Sequence, residues 1–181
     1  MIRSLALGLA LTAVAAPAFA ALKVGAKAPD FSTAAFQAGK QTSFSLAEAR
    51  RKGPVVVFFF PAAYTGGCNL EAKAFADAMD QFTANGATVI GVTAGNADRL
   101  AEFSNDTKTC SGKFKVAADP GLKIASGYDA KLALKPGWTD RTSYVVAPDG
   151  KVLMAYSNLK PDEHVTHTLA AVKQWKAGKK K

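Results

Sequence analysis

Val55-Val56-Val57-Phe58-Phe59-Phe60, closed by Pro61, is a run of six β-favouring apolar residues without polar alternation. A half-buried strand alternates, so this run reads as a strand covered on both faces. Gly53-Pro54 leads into it. After a loop from Pro61 to Gly67, the residues Cys68, Ala72, Phe75, Met79 and Phe82 recur at spacings of four and three. That periodicity predicts a helix with one apolar face. Asn85-Gly86 ends it, with glycine in its usual place just past a helix terminus. Thr88 to Thr93 reads as a second buried strand, and strand, helix, strand makes a parallel pair.

The pattern continues on both sides. Upstream, Phe31 to Phe44 is punctuated by Ala38-Gly39-Lys40 and fits a hairpin. Ser45-Leu46-Ala47-Glu48 is a capping-box signature opening a short helix up to Arg51. Downstream, Asn96 is expected to cap a helix over 97–106, and Lys115 to Ala118 fits a short strand. Asp119-Pro120 begins a helical turn toward Tyr128. Thr142 to Ala147 and Lys151 to Tyr156 flank the turn Pro148-Asp149-Gly150. A last helix opens at Pro161-Asp162-Glu163, with Val165, Leu169 and Val172 as its expected inner stripe. The sum is one α/β domain, a mixed β-sheet with helices on both faces.

Composition agrees with that class. The chain has 181 residues, 49% hydrophobic and 20% charged, which fits one globular domain and excludes disorder, collagen or a coiled coil. Two cysteines are too few for a disulfide-framed miniprotein or a four-thiolate zinc site.

Residues 1–20 read as a cleaved signal peptide. Arg3 supplies a charged start, an apolar run follows from Leu5, and Ala18 and Ala20 are small residues placed for a cut. The run reaches about sixteen residues, short of the roughly twenty a spanning helix needs, and Pro17 interrupts it. Cleavage after Ala20 leaves a single domain over 21–181. Export, to a bacterial periplasm, sets an oxidising address in which two cysteines can pair. Without Arg3, 22 basic residues face 14 acidic ones, a net charge of +8. Much of the excess is Lys173, Lys176, Lys179, Lys180 and Lys181, a solvated tail. Basic residues interleaved with aromatics are missing, so nucleic acid is not an expected partner, nor is a stable membrane association.

Cys68 carries the candidate chemistry. It falls at the first turn of the long helix, at the carboxyl end of a buried strand, where open α/β sheets form their sites. Unpaired N–H groups and the positive end of the helix dipole favour a thiolate there. Thr65, three residues earlier, can bring its hydroxyl beside the sulfur, and Gly66 and Gly67 let backbone N–H groups approach. Cys68 is also the first member of the helix's apolar stripe. On spacing alone, a reactive thiol and a buried structural thiol both remain open.

Pro61-x-x-x-Thr65-x-x-Cys68 on a strand, loop and helix resembles the active-site motif of the peroxiredoxins, thiol peroxidases on a thioredoxin-like fold. Glu71, three after the cysteine, matches that family, as does Arg141 just before the strand Thr142-Ser143-Tyr144-Val145-Val146. Ala28-Pro29-Asp30-Phe31 resembles its opening and Asp149-Gly150 its late hairpin. The similarity runs from about Leu22 to Val172 and points to the Q-type, or bacterioferritin-comigratory, group. That group often has Pro-Gly before the cysteine and Thr after it, where this chain has Gly66-Gly67 and Asn69. Many of its members carry a second cysteine five residues on, a position held here by Lys73.

The resemblance implies an enzyme, a thiol-dependent hydroperoxide reductase. Cys68 attacks hydrogen peroxide or an organic hydroperoxide and becomes a sulfenic acid. Arg141 supplies positive charge, Thr65 and the N–H groups near Cys68 align the peroxide, Pro61 shields the sulfur and Glu71 orients Arg141. Cys110 is the implied resolving cysteine, forming a Cys68–Cys110 disulfide that an external thioredoxin- or glutaredoxin-like dithiol reduces. A spectator Cys110 is the alternative, as is a non-catalytic thioredoxin-like sensor or binding module for the whole chain. Monomer and homodimer are both open.

Other constellations are weaker. His164 and His167, three apart on the last helix, read as two surface histidines without a third metal ligand, so no metal or cofactor is expected. No C-x-x-C occurs, which argues against a disulfide oxidoreductase. Tyr64 and Trp138 are candidates for an apolar rim around the site or for plain packing.

Overall fold

The structure is a computed structural model and describes residues 21–179. The expected signal peptide and the last two lysines lie outside that range. Seven strands form one sheet: β1 (Ser32–Gln37), β2 (Lys40–Ser45), β3 (Val55–Phe59), β4 (Thr88–Thr93), β5 (Lys115–Ala118), β6 (Thr142–Val146) and β7 (Val152–Ser157). Five helices accompany them: α1 (Leu46–Arg50), α2 (Gly66–Ala84), α3 (Leu100–Asn105), α4 (Lys123–Gly127) and α5 (His164–Gly178). The strand order is β2-β1-β5-β4-β3-β6-β7. The pairs β3–β4 and β4–β5 are parallel and the others antiparallel, so the sheet is mixed, as expected.

The continuous apolar run sits near the middle of this sheet. Every residue of β3 is fully buried, and alternate side chains serve two separate cores. Val56, Phe58 and Phe60 pack with Phe75 and Phe82 of α2, Phe103 of α3, and Leu169 and Val172 of α5. Val55, Val57 and Phe59 pack on the other face with Leu46 of α1 and Ala125 of α4. Two covered faces leave no polar side to the strand, which is why the sequence lacks alternation there. Among the described residues, no helix is long and apolar enough to cross a membrane.

The short strand β5 decides how the hairpin attaches. It pairs with β4 on one side and β1 on the other, and so ties the β1–β2 hairpin into the sheet. The α1 capping box forms as read, with the Ser45 hydroxyl accepting from Glu48 N–H. The Asn96 cap does not. Asn96 is left-handed, with φ 51°, and its side-chain amide donates to the Ala63 carbonyl at 2.8 Å. A short 3₁₀ turn, Ala97–Arg99, therefore precedes α3. Asn96 stitches the end of β4 to the loop before Cys68 instead of starting a helix. Asp119, which the sequence places at the start of the turn toward Tyr128, caps α4, its two carboxylate oxygens accepting from Ile124 and Ala125 N–H at 2.9 and 2.8 Å.

Candidate active site

The loop from Pro61 to Thr65 carries the chain from β3 into α2 and is held rigidly. Thr93 Oγ1 donates to the Pro61 carbonyl at 3.1 Å, and Ala63 N–H donates to the Gly95 carbonyl at 3.2 Å. Gly95 approaches so closely that a Cβ there would stand 2.4 Å from the Pro61 oxygen and 2.6 Å from Ala62 Cβ. Thr139 Oγ1 donates to the Phe60 carbonyl at 2.5 Å. Pro61 itself is buried.

Thr65 occupies the N-cap of α2 with extended backbone, yet its hydroxyl does not cap the helix. It turns back and donates to the Ala62 carbonyl at 3.1 Å. The first intrahelical bond is Asn69 N–H to the Thr65 carbonyl at 2.9 Å. The N–H groups of Gly66, Gly67 and Cys68 thus precede the hydrogen-bonded ladder, and no side chain of Thr65 takes them. This first turn carries no acidic residue. Cys68 sits at its end, 1% exposed.

Arg141 reaches this turn from the start of β6. Strand alternation puts Arg141, Ser143 and Val145 on the sheet face covered by α2 and α5. The guanidinium is almost completely buried and each of its nitrogens has a partner. Nη2 lies 3.5 Å from Cys68 Sγ, Nη1 donates to Glu71 Oε2, and Nε donates to the Leu159 carbonyl at 2.8 Å. A Cβ on Gly67 would stand 3.1 Å from Nη2, so the guanidinium occupies space that only glycine leaves open. Glu71 is fully buried, and burial pushes its carboxyl up to about 8 against the opposing attraction of Arg141. Cys68, Glu71 and Arg141 therefore form one contact group, with Thr65 and Pro61 on the loop that leads into it.

Cys110 lies apart from this group. It follows α3 in a turn and is fully buried in the same apolar core that contains Cys68, and both cysteines are free thiols. Burial pushes the Cys110 thiol well up from its ordinary range. Tyr64 links the two cysteine-bearing regions. Its ring meets Phe103 edge-on at 5.3 Å, and Arg99 lies 3.9 Å over its face. Tyr64 thus packs the loop onto α3, while Trp138 lies under Lys135 at 3.2 Å.

The reading of two surface histidines is corrected for His164. His167 is exposed, but His164 has no accessible surface. Its Nδ1 lies 2.8 Å from Ser143 Oγ, its Nε2 lies 2.9 Å from the Asn158 carbonyl, and Glu71 Oε1 is 3.6 Å from Nδ1. The buried face is wider than the expected stripe. Leu169 and Val172 are buried as expected and Val165 partly so, and His164 and Thr168, at four-residue spacing with Val172, are buried beside them. That spacing was available in the sequence as a signal for His164.

Comparison with known proteins places the chain in a family. Residues 24–155 match the AhpC/TSA family. A protein described as putative peroxiredoxin Q, chloroplastic, from Oryza sativa subsp. indica is 34% identical over 146 residues, covering 80% of this chain and 64% of its own length. The chain thus spans just under two thirds of that rice relative. Peroxiredoxin Q, chloroplastic, from Sedum lineare is 30% identical over 159 residues, with 87% of this chain and 82% of the relative covered. Among solved structures, peroxidoxin BcpB from Mycobacterium tuberculosis superposes with a TM-score of 0.74 at 27% identity, covering 84% of this chain and 97% of its own. The reduced 2-Cys peroxiredoxin of Plasmodium vivax shares the fold, with a TM-score of 0.76 at 18% identity, 87% of this chain and 99% of its own. The fold is thioredoxin-like, and the chain belongs to the AhpC/TSA family alongside the peroxiredoxin Q proteins.

Proposed function

We propose that the protein is a thiol-dependent peroxidase with Cys68 as the peroxidatic residue. The observation that carries this is the Arg141 fork, with one nitrogen 3.5 Å from Cys68 Sγ and another on Glu71, beside an uncapped helix start. A guanidinium at that distance favours negative charge on the sulfur. The thiolate donates an electron pair to one peroxide oxygen, the O–O bond breaks, and the departing hydroxide or alkoxide takes a proton from solvent. Cys68 becomes a sulfenic acid and the product is water or an alcohol. The N–H groups of Gly67 and Cys68 and the Arg141 fork stabilise the charge developing on the oxygens. With its hydrogen engaged by Ala62, Thr65 Oγ serves as acceptor for the hydroperoxide proton. Pro61 keeps one side of the sulfur dry. Leu70 and Leu159, 66% and 52% exposed, border the turn and suit the alkyl part of an organic hydroperoxide.

Cys110 is the resolving thiol in this reading. It condenses with the sulfenic acid, releasing water and leaving a Cys68–Cys110 disulfide, which an external dithiol reduces with two electrons. Both thiols are buried, Cys68 in the first turn of α2 and Cys110 in the turn after α3, and local opening of these turns brings the sulfurs together. Residues 1–20 act as an export signal that delivers the mature domain to the periplasm. This reading gains support at the junction, because Ala21 and Leu22 already pack on the core and Leu22 N–H donates to the Tyr144 hydroxyl at 3.2 Å.

The test is peroxide consumption by the reduced mature protein with dithiothreitol as electron donor. Repeated turnover that disappears in Cys68→Ser supports the peroxidase. One stoichiometric oxidation that dithiothreitol resets only slowly supports a sensor. Turnover by Cys68→Ser at the wild-type rate sinks the assignment. Intact mass after one equivalent of peroxide reports Cys110, since a loss of two hydrogens with both cysteines blocked marks the disulfide. Mass of the protein from fractionated cells tests cleavage after Ala20.

A further inference from the structure

Only one of the two carboxyl oxygens of Glu71 is engaged. Oε2 accepts from Arg141, whereas Oε1 is buried with no hydrogen-bond partner. The polar atom that faces Oε1 is Nδ1 of His164, 3.6 Å away and equally buried. The His164 ring is fixed at both nitrogens. A carbonyl can only accept, so Nε2 carries the hydrogen donated to Asn158. In the neutral ring Nδ1 is then the acceptor, and the Ser143 hydroxyl donates to it.

A carboxylate oxygen and an acceptor nitrogen held 3.6 Å apart away from water repel one another. With the Nδ1 lone pair already taken by Ser143, a proton on Glu71 removes the conflict. Burial favours the pairing of two neutral groups. It pushes Glu71 up to about 8 and lowers His164 to about 4, the Asn158 carbonyl opposing the latter shift and Arg141 adding to it. Other ionisable groups close to the pair are Cys68 on α2, Tyr156 on β7, and Glu163 and His167 flanking His164. Tyr156 donates to Glu163 at 2.7 Å, which engages both of those groups with each other.

The proton matters because Arg141 has one charge and two acidic neighbours. An ionised Glu71 competes with Cys68 for it, and a protonated Glu71 does not. Two consecutive carbonyls hold the arrangement together, Asn158 gripping His164 and Leu159 gripping Arg141. We propose that His164, oriented by Ser143 and Asn158, is a positioning residue of the peroxidatic site: its acceptor nitrogen Nδ1 faces Glu71 Oε1, keeps the proton on Glu71 and so leaves the Arg141 charge facing Cys68. The proposal rests on the peroxidase reading, and its test has a readout independent of turnover.

The full mature chain is followed by infrared difference spectroscopy against pH, together with single-turnover oxidation of Cys68 in a Cys110→Ser background. A carboxylic-acid carbonyl band present near neutral pH and absent in Glu71→Gln is the expected signature. In His164→Phe, which keeps ring volume but removes both nitrogens, the band titrates at lower pH and oxidation at neutral pH slows about tenfold. His164→Asn, which restores a polar atom near the Nδ1 position, recovers the rate to within about threefold. If His164→Phe does not fold, His164→Leu, which also removes both nitrogens, is read in its place. His167→Gln leaves both readouts unchanged. Absence of the band in wild type, or an identical titration in wild type and in the variants that remove both nitrogens of His164, overturns the proposal. A protein that oxidises once without turning over while showing the carboxylic-acid band leaves this inference intact and removes only the peroxidase reading.

Discussion

A methyl group on Gly67 would stand 3.1 Å from Nη2 of Arg141, the nitrogen that also lies 3.5 Å from the sulfur of Cys68. The guanidinium cannot swing aside to admit it. Its other nitrogens are held by Glu71 and by the Leu159 carbonyl at 2.8 Å, so the strain falls on the contact with Cys68. Gly67→Ala is therefore expected to slow Cys68 oxidation about tenfold, by misplacing the charge, while costing less than about 1 kcal/mol of stability. Stopped-flow oxidation and a denaturant melt on the same preparation separate the two effects. An unchanged rate would mean that the Arg141 contact with sulfur is incidental.

Arg141→Lys keeps the charge and loses the fork. One ammonium cannot meet Glu71, Cys68 and the Leu159 carbonyl together, and the buried Glu71 carboxyl loses its geometry. The single-turnover rate should fall about a hundredfold or more, the range seen when one oriented donor is removed from a reacting centre. Retention of more than about a third of the wild-type rate would show that charge alone suffices.

Stability against pH should carry the imprint of Glu71 and His164. Their ordinary values of 4.5 and 6.5 move in the fold to about 8 and about 4. Between about 4.5 and 6.5 the unfolded chain holds its proton on His164 and the folded chain holds one on Glu71, so the pair adds no slope. From about 6.5 to 8 the folded state keeps a proton that the unfolded state has released, and this contribution to stability falls as pH rises. Below about 4.5 the unfolded chain takes up a second proton first, and stability falls as pH drops toward 4. Glu71→Gln leaves His164 alone, whose contribution rises from about pH 4 to 6.5 and is flat above. Urea midpoints measured across this range decide it: a wild-type minus Glu71→Gln difference without downward slope between about 4.5 and 8 contradicts the assignment.

Cys110 should be silent until Cys68 reacts. It is fully buried, and burial holds its thiol in the protonated form. Alkylation of Cys110 in the reduced, folded protein should run about a hundredfold slower than in the unfolded chain, because reaction waits for local opening. In Cys68→Ser, peroxide should not change that rate. Mass-resolved labelling measures both, and fast labelling of Cys110 in the folded protein would contradict the buried position.

How much of this was written in the chain follows from the range of the forces involved. The run from Val55 to Phe60 determined a strand covered on both faces, because hydrophobic burial is legible from residue type alone. The spacing of Cys68, Ala72, Phe75 and Phe82 determined one face of α2, and Ser45 with Glu48 determined the start of α1, because both depend on neighbours within a turn. Thr65, Cys68, Glu71 and Arg141 could be named through a motif. Their mutual distances could not, since Arg141 and Cys68 are 73 residues apart and meet only because β6 pairs beside β3. Short-range rules also misled where a longer contact won. Asn96 has the chemistry of a cap, but its amide goes to the Ala63 carbonyl, 33 residues away. Thr65 stands at an N-cap, but its hydroxyl turns to Ala62 and leaves the helix start open.

His164 marks the boundary most clearly. Polarity and position near a helix start assign it to the surface, and by itself the sequence determined no more than a histidine on an amphipathic helix. Tertiary packing seats α5 against β6 and β7 so that Ser143, the Asn158 carbonyl and Glu71 surround the ring. A polar side chain is buried when partners from other elements satisfy it, and those partners come together only once the sheet order is set. The local pattern determined which elements form; the pairing of β3 with β6, and of α2 with α5 over them, decided which charges meet.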